Sequence, residues 1–65
     1  MDNQDVARRL IINLSQCESE VQNDVLRRCS DWLDFGGQFT DPYIIHQLQF
    51  TDRHLQIKRA KESLT

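Results

Sequence analysis

Two histidines, two cysteines and two arginine pairs are the residues of this 65-residue chain whose types could do chemistry. His46 and His54 stand eight positions apart. On one helix that is about 12 Å, too far to share a metal without ligands from elsewhere. Cys17 and Cys29 could supply such ligands in principle, but the chain has neither a CxxC nor an HxxxH spacing. The expectation is no metal and no cofactor. A cysteine or serine nucleophile would need a histidine and an orienting carboxylate held together in a pocket. A pair of packed helices offers no pocket of the usual several hundred Å³. Gly36 and Gly37 are adjacent and do not form a phosphate-cradling pattern. The chain therefore reads as non-enzymatic, with no small-molecule substrate.

Arg8–Arg9 and Arg27–Arg28 could touch phosphates. However, Asp5 precedes the first pair, and Asp24, Asp31 and Asp34 surround the second. Ion pairs along a helix surface are the simpler reading. Eight Lys+Arg against ten Asp+Glu give a net charge of −2, which argues against electrostatic capture of nucleic acid or an anionic membrane. No apolar run reaches the length of a membrane span. The opening "MDNQDVARR" is acidic and polar, unlike a secretory signal, so a cytoplasmic protein is expected. If Cys17 and Cys29 share one helix, they lie about 18 Å apart, beyond disulfide reach. They then read as small buried or half-buried apolar residues in a reducing compartment.

The elements that position these residues follow from the punctuation. Both glycines and the single proline fall in "FGGQFTDP", residues 35–42. Before it, Val6, Leu10, Leu14, Cys17, Val21, Val25 and Trp32 recur at intervals of 4, 4, 3, 4, 4 and 7. That is one helical stripe, and it predicts a long helix over about residues 3–35. Asp2 or Asn3 caps it, and Asp5 lies in its first turn. The weak point is "NLSQCES", residues 13–19, where Asn and two Ser lower helix propensity. A separate short N-terminal helix ending there is the alternative.

After the glycines, Asp41 and Pro42 predict a helix start, and the second helix runs over about residues 42–64. The fold class is all-α: one domain, residues 1–65, as an antiparallel helical hairpin closed by the Gly-Gly turn. At this length its own core is marginal, because only about 60% of the unfolded surface is buried.

The second helix carries two apolar stripes on nearly opposite sides. One is Ile44, Ile45, Leu48 and Leu55. The other is Tyr43, Phe50, Ile57 and Leu64, at intervals of seven. A hairpin has one seam and covers only one stripe. The first helix overhangs the second by about ten residues, which include Ile11 and Ile12. Exposed apolar strips mark interaction surfaces, so the expected partner-binding residues are Tyr43, Phe50, Ile57, Leu64, Ile11 and Ile12. Trp32, Phe35 and Phe39 are further anchors or else cap the end of the core.

A long helix, then "GG", then a tyrosine opening the amphipathic run "YIIHQLQFTDRHL" resembles the small co-chaperones of type III secretion needle subunits. Gly36, Gly37 and Tyr43 carry the resemblance, which spans about residues 20–64. It implies a helical hairpin that pairs with a larger helical-repeat chaperone and keeps a secreted subunit monomeric. The stripe of Tyr43, Phe50, Ile57 and Leu64 would meet the chaperone. Two other readings remain open: a small homodimeric regulator or inhibitor of phage or plasmid type, and a DNA-binding helical module that the acidic balance disfavours.

Overall fold

The computed structural model describes residues 2–63, which form α1 (Asn3–Ser15), α2 (Ser19–Asp34) and α3 (Pro42–Ser63), with no strand among them. The long helix expected over residues 3–35 is thus two helices. Glu18 adopts an extended backbone that ends the helical path. The polar residues of "NLSQCES" make the break tolerable by satisfying the carbonyls it orphans. Ile12 O accepts from Ser15 Oγ at 2.6 Å, Asn13 O accepts from the Gln16 N–H at 3.1 Å, and Leu14 O accepts from the Cys17 N–H at 3.1 Å and from Gln22 Nε2 at 2.5 Å. At the other end of α1, Asp2 Oδ1 accepts from the Asp5 N–H at 2.8 Å, so Asp2 is the cap.

Folding back at residues 16–18 fixes the directions. α1 and α2 run antiparallel: Gln22 reaches Leu14 near the link, while Ala7 and Leu33 line the same groove at the far end. α1 then runs parallel to α3, since Asn3 Oδ1 accepts from the Thr40 N–H at one end and Gln16 meets Lys58 and Arg59 at the other. Trp32 with Asp41, and Glu18 with His54, show that α2 and α3 are antiparallel. The product is an up-down-up bundle of three helices. The N-terminal segment that a two-helix hairpin would leave overhanging is its third rod.

The core follows from this placement. Val6, Leu10 and Leu14 of α1 pack with Val25 and Cys29 of α2 and with Ile44 and Leu48 of α3. Val6 and Ile44 are fully shielded from water. Burial of each such side chain stabilises by about 1.5–3 kcal/mol. The stripe of Ile44, Leu48 and Leu55 is therefore the inward one. Thr51 completes it and is fully buried, its hydroxyl donating to Leu48 O at 2.7 Å and accepting from Asn13 Nδ2 at 3.0 Å. Both thiols are free and buried, and burial pushes both up from the ordinary cysteine range. Cys17 lies in the link and Cys29 on α2, so the separation expected on a single helix does not describe them.

The second turn is a glycine-built helix stop. The Gly36 N–H donates to Leu33 O and the Gly37 N–H to Trp32 O, both at 3.0 Å, which is the Schellman pattern. Gly36 supplies the left-handed residue that this pattern needs, with φ at 94°. Gly37 is required for a different reason: a Cβ there would run into the Trp32 indole. Gly37→Ala should push the indole off its partners, destabilise by about 1–3 kcal/mol and red-shift the emission of the chain's single tryptophan. A melt and an emission maximum like the wild type's would contradict that packing.

Asp41 starts α3 through its backbone and not its side chain. Its carbonyl accepts from the Ile45 N–H, but its carboxylate turns back into the loop. Asp41 Oδ2 accepts from Trp32 Nε1 at 3.0 Å and from the Gln38 N–H at 2.8 Å. Phe35, proposed as an anchor or a core cap, caps nothing: it is 92% exposed. Phe39 does pack against the core.

Candidate functional site

The outer face of α3 is built by the seven-residue interval. Successive sevens advance a helix by nearly whole turns, so Tyr43, Phe50 and Ile57 lie in one column. That column is roughly 130° around from the buried Ile44–Leu55 column, and α1 and α2 both pack on the buried side. Among the described residues, no other helix packs over its middle: Phe50 is 49% exposed and Ile57 50%. Leu64, the fourth residue of the stripe, lies outside the described residues.

The stripe is positioned at three points. At its start, Tyr43 stacks on Trp32, with ring centroids 4.9 Å apart and planes 22° apart. Trp32 is itself held by Asp41, so the Schellman turn, the indole and the phenol form one unit. In the middle, Phe50 stacks along the His54 ring at 6.1 Å, and His46, Gln49, Phe50 and Arg53 line a shallow depression of about 240 Å³. Towards the far end, Ile57 borders a second depression together with Glu18, His54, Lys58 and Lys61. Glu18 is engaged there, with Oε2 2.9 Å from His54 Nε2 and Oε1 3.5 Å from Lys58 Nζ.

Ile11 and Ile12 are not brought to this stripe. α1 meets α3 through its opposite flank, where Asn13 Nδ2 donates to Asp52 Oδ1 at 2.7 Å and Arg9 pairs with Asp52 at 3.5 Å. Ile11, 68% exposed, lines a separate apolar groove with Ala7, Leu26, Leu33 and Phe39, of about 270 Å³ between α1 and α2. Ile12 lies on the outer side of α1 beside Arg8. The described residues among the expected partner contacts thus divide between two helices and separate faces, Tyr43, Phe50 and Ile57 on α3 and Ile11 and Ile12 on α1. Leu26 and Leu33 share the first helical segment with Ile11 in the sequence, but only the chain reversal at residues 16–18 sets them across a groove from it.

Two carboxylates at the stripe's supports are tuned by hydrogen bonds. The Gln38 N–H, and after it the Trp32 indole, hold Asp41 below its ordinary value. The His54 hydrogen bond, and after it its own backbone N–H, do the same for Glu18. A depressed carboxylate contributes stability that is fully present above its unfolded value, near 4, and lost as pH falls through the folded one. Trp32 emission should therefore be flat above about pH 5 and step at a midpoint below the ordinary Asp value. Asp41→Asn should remove the step, while Glu18→Gln should leave it. A step that survives Asp41→Asn would assign it to another group.

Among the described residues, no group of His, Cys, Asp and Glu is placed to hold a metal ion. No described helix is long and apolar enough to cross a membrane.

The profile of one protein family matches residues 4–56. The chain belongs to DUF6877, a family of unknown function. The DUF6877 match contains every buried core residue from Val6 to Leu55, as well as Tyr43 and Phe50 of the outer stripe, whereas Ile57 and Lys61 fall beyond it. No curated protein and no solved structure matches the chain.

Sequence reasoning named the stripe but passed over Arg53 and Lys61 beside it. Their relation to Phe50 and Ile57 was available from spacing: Arg53 is three residues past Phe50, and Lys61 four past Ile57. That neither cation has a partner among the described residues could be seen only once the helices were placed.

Proposed function

We propose that the chain is a non-enzymatic protein-interaction module that docks a helix of another protein along Tyr43, Phe50 and Ile57. One observation carries this reading. The bundle closes a core on one side of α3 and leaves a regular apolar column on the other, largely open to water and in ring contact with Trp32 and His54. Aromatic residues in fixed positions lose little entropy on binding and tend to dominate binding energy. The α1–α2 groove is a second apolar surface, but its most exposed member, Ile11, has no such support.

The narrower reading, a co-chaperone paired with a larger chaperone around a secretion subunit, is one form of this proposal. It draws on the resemblance of the glycine turn and Tyr43. It would use the same stripe, which the three-helix bundle leaves open at Phe50 and Ile57. Self-pairing as a homodimer would use the same stripe.

The test is a titration of the isotope-labelled chain with a synthetic amphipathic helical peptide bearing a leucine seam and neutral flanks, followed by amide chemical shifts. Shifts should concentrate at residues 43–57 of α3. Shifts confined to Ile11, Leu26 and Leu33 would move the surface to the α1–α2 groove. No shifts at millimolar peptide would remove the interaction reading. Sedimentation of the chain alone separates the homodimer.

A further inference from the structure

The eight Lys and Arg side chains divide in a way that identifies the partner's charge. Arg8 pairs with Asp5, Arg9 with Asp52, Arg27 and Arg28 with Asp24, and Lys58 with Glu18. Arg59 donates to Gln16 Oε1 at 2.8 Å. Among the described residues, Arg53 and Lys61 are the two cations whose side chains have no ion pair or hydrogen bond. Both are exposed, and both stand beside the docking stripe: Arg53 shares a depression with Phe50, and Lys61 shares one with Ile57.

The carboxylates of α3 are directed elsewhere. Asp52 is taken by Asn13 and Arg9 of α1, and Glu62, seven residues past Leu55, falls in the column of the buried face. Glu18, at the edge of the second depression, is held by His54 and Lys58. The outer face of α3 thus combines an apolar column at seven-residue spacing with two cations that no described residue compensates. In packed helix pairs the apolar column supplies the affinity, and the flanking charges choose the partner.

Resting on the docking-surface reading above, the geometry points to an acidic amphipathic helix of another protein as the occupant, with its carboxylates facing Arg53 and Lys61. A basic helix would place like charges together and be rejected. A nucleic acid would also supply anions. However, it would gain little from Phe50 and Ile57, and it would meet a chain of net charge −2.

The experiment compares two dye-labelled helical peptides with the same leucine seam, one flanked by glutamates and one by lysines, binding to the full chain at low salt. The glutamate peptide should bind at least about tenfold more tightly, and added salt should narrow the gap. Arg53→Glu with Lys61→Glu should reverse the preference with only a small change in the melt, because neither side chain makes an ion pair or hydrogen bond among the described residues and Lys61 contributes only its charge in the last turn of α3. Equal affinity for both peptides overturns the charge inference and leaves the apolar surface standing. Failure of both peptides removes the surface itself. Tighter binding of a DNA duplex than of the glutamate peptide, lost in the same double variant, also overturns the inference.

Discussion

Val6→Asp will leave the chain unfolded at room temperature. Val6 has no exposure to water and sits in the cluster with Leu10, Ile44 and Leu48. An aspartate there has no cation to pair with in that cluster, and burying an unpaired charge costs several kcal/mol. A domain of this size rarely holds more than about 3–5 kcal/mol in total, so one such substitution exceeds what the fold can bear. The prediction separates two architectures. In a two-helix hairpin with a free N-terminal overhang, Val6 would lie beyond the end of the second helix, and the change would be nearly silent. Helical circular dichroism and a thermal melt decide between them. A Val6→Asp chain with native ellipticity and a cooperative melt near the wild-type temperature would mean that α1 is not packed on α3.

Phe50→Asp has the opposite profile. The chain should stay folded, with a melt within about 1 kcal/mol of the wild type, because Phe50 is half open to water and its ring contact with His54 is on the surface. Affinity for an amphipathic helical partner should fall roughly 30-fold or more, the effect of losing an aromatic anchor worth about 2 kcal/mol. The introduced carboxylate would also sit one turn from Arg53 and neutralise one of the two free cations. Phe50→Leu distinguishes these contributions: it keeps an apolar anchor and the charge, and should recover most of the binding. Binding by Phe50→Asp that matches the wild type would place the contact elsewhere, with the α1–α2 groove next in line.

The contrast between these two residues shows how far the sequence could be read. Val6 and Phe50 are both apolar members of regular helical stripes. Nothing in their spacing says that one is sealed and the other open. Periodicity reports which residues share a face of a helix, and it is silent on which face meets another element.

The same limit explains the break at residues 16–18. The stripe from Val6 through Leu14 and Cys17 to Val25 keeps its rhythm straight across the link, so apolar spacing describes one helix where there are two. The polar run "NLSQCES" marks a place where a break is cheap, because Ser15, Gln16 and Gln22 can satisfy the freed carbonyls. Whether the chain breaks there is decided by what α1 gains against α3. Thr51 illustrates a related gap. It stands between Leu48 and Leu55 in the inward column, yet a hydroxyl reads as surface until Asn13 and the Leu48 carbonyl are seen to satisfy it.

By itself, the sequence determined the all-helical class, the reversal at Gly36–Gly37, the start of α3 at Pro42 and the two apolar columns of that helix. These are local matters, set by backbone freedom, capping and the 3.6-residue period. Only the tertiary structure decided that α1 folds back as a third rod, that Ile44, Leu48, Thr51 and Leu55 face inward, and that Arg53 and Lys61 find no partner among the described residues. Those outcomes depend on long-range competition for burial and for counter-charges, which no single segment contains.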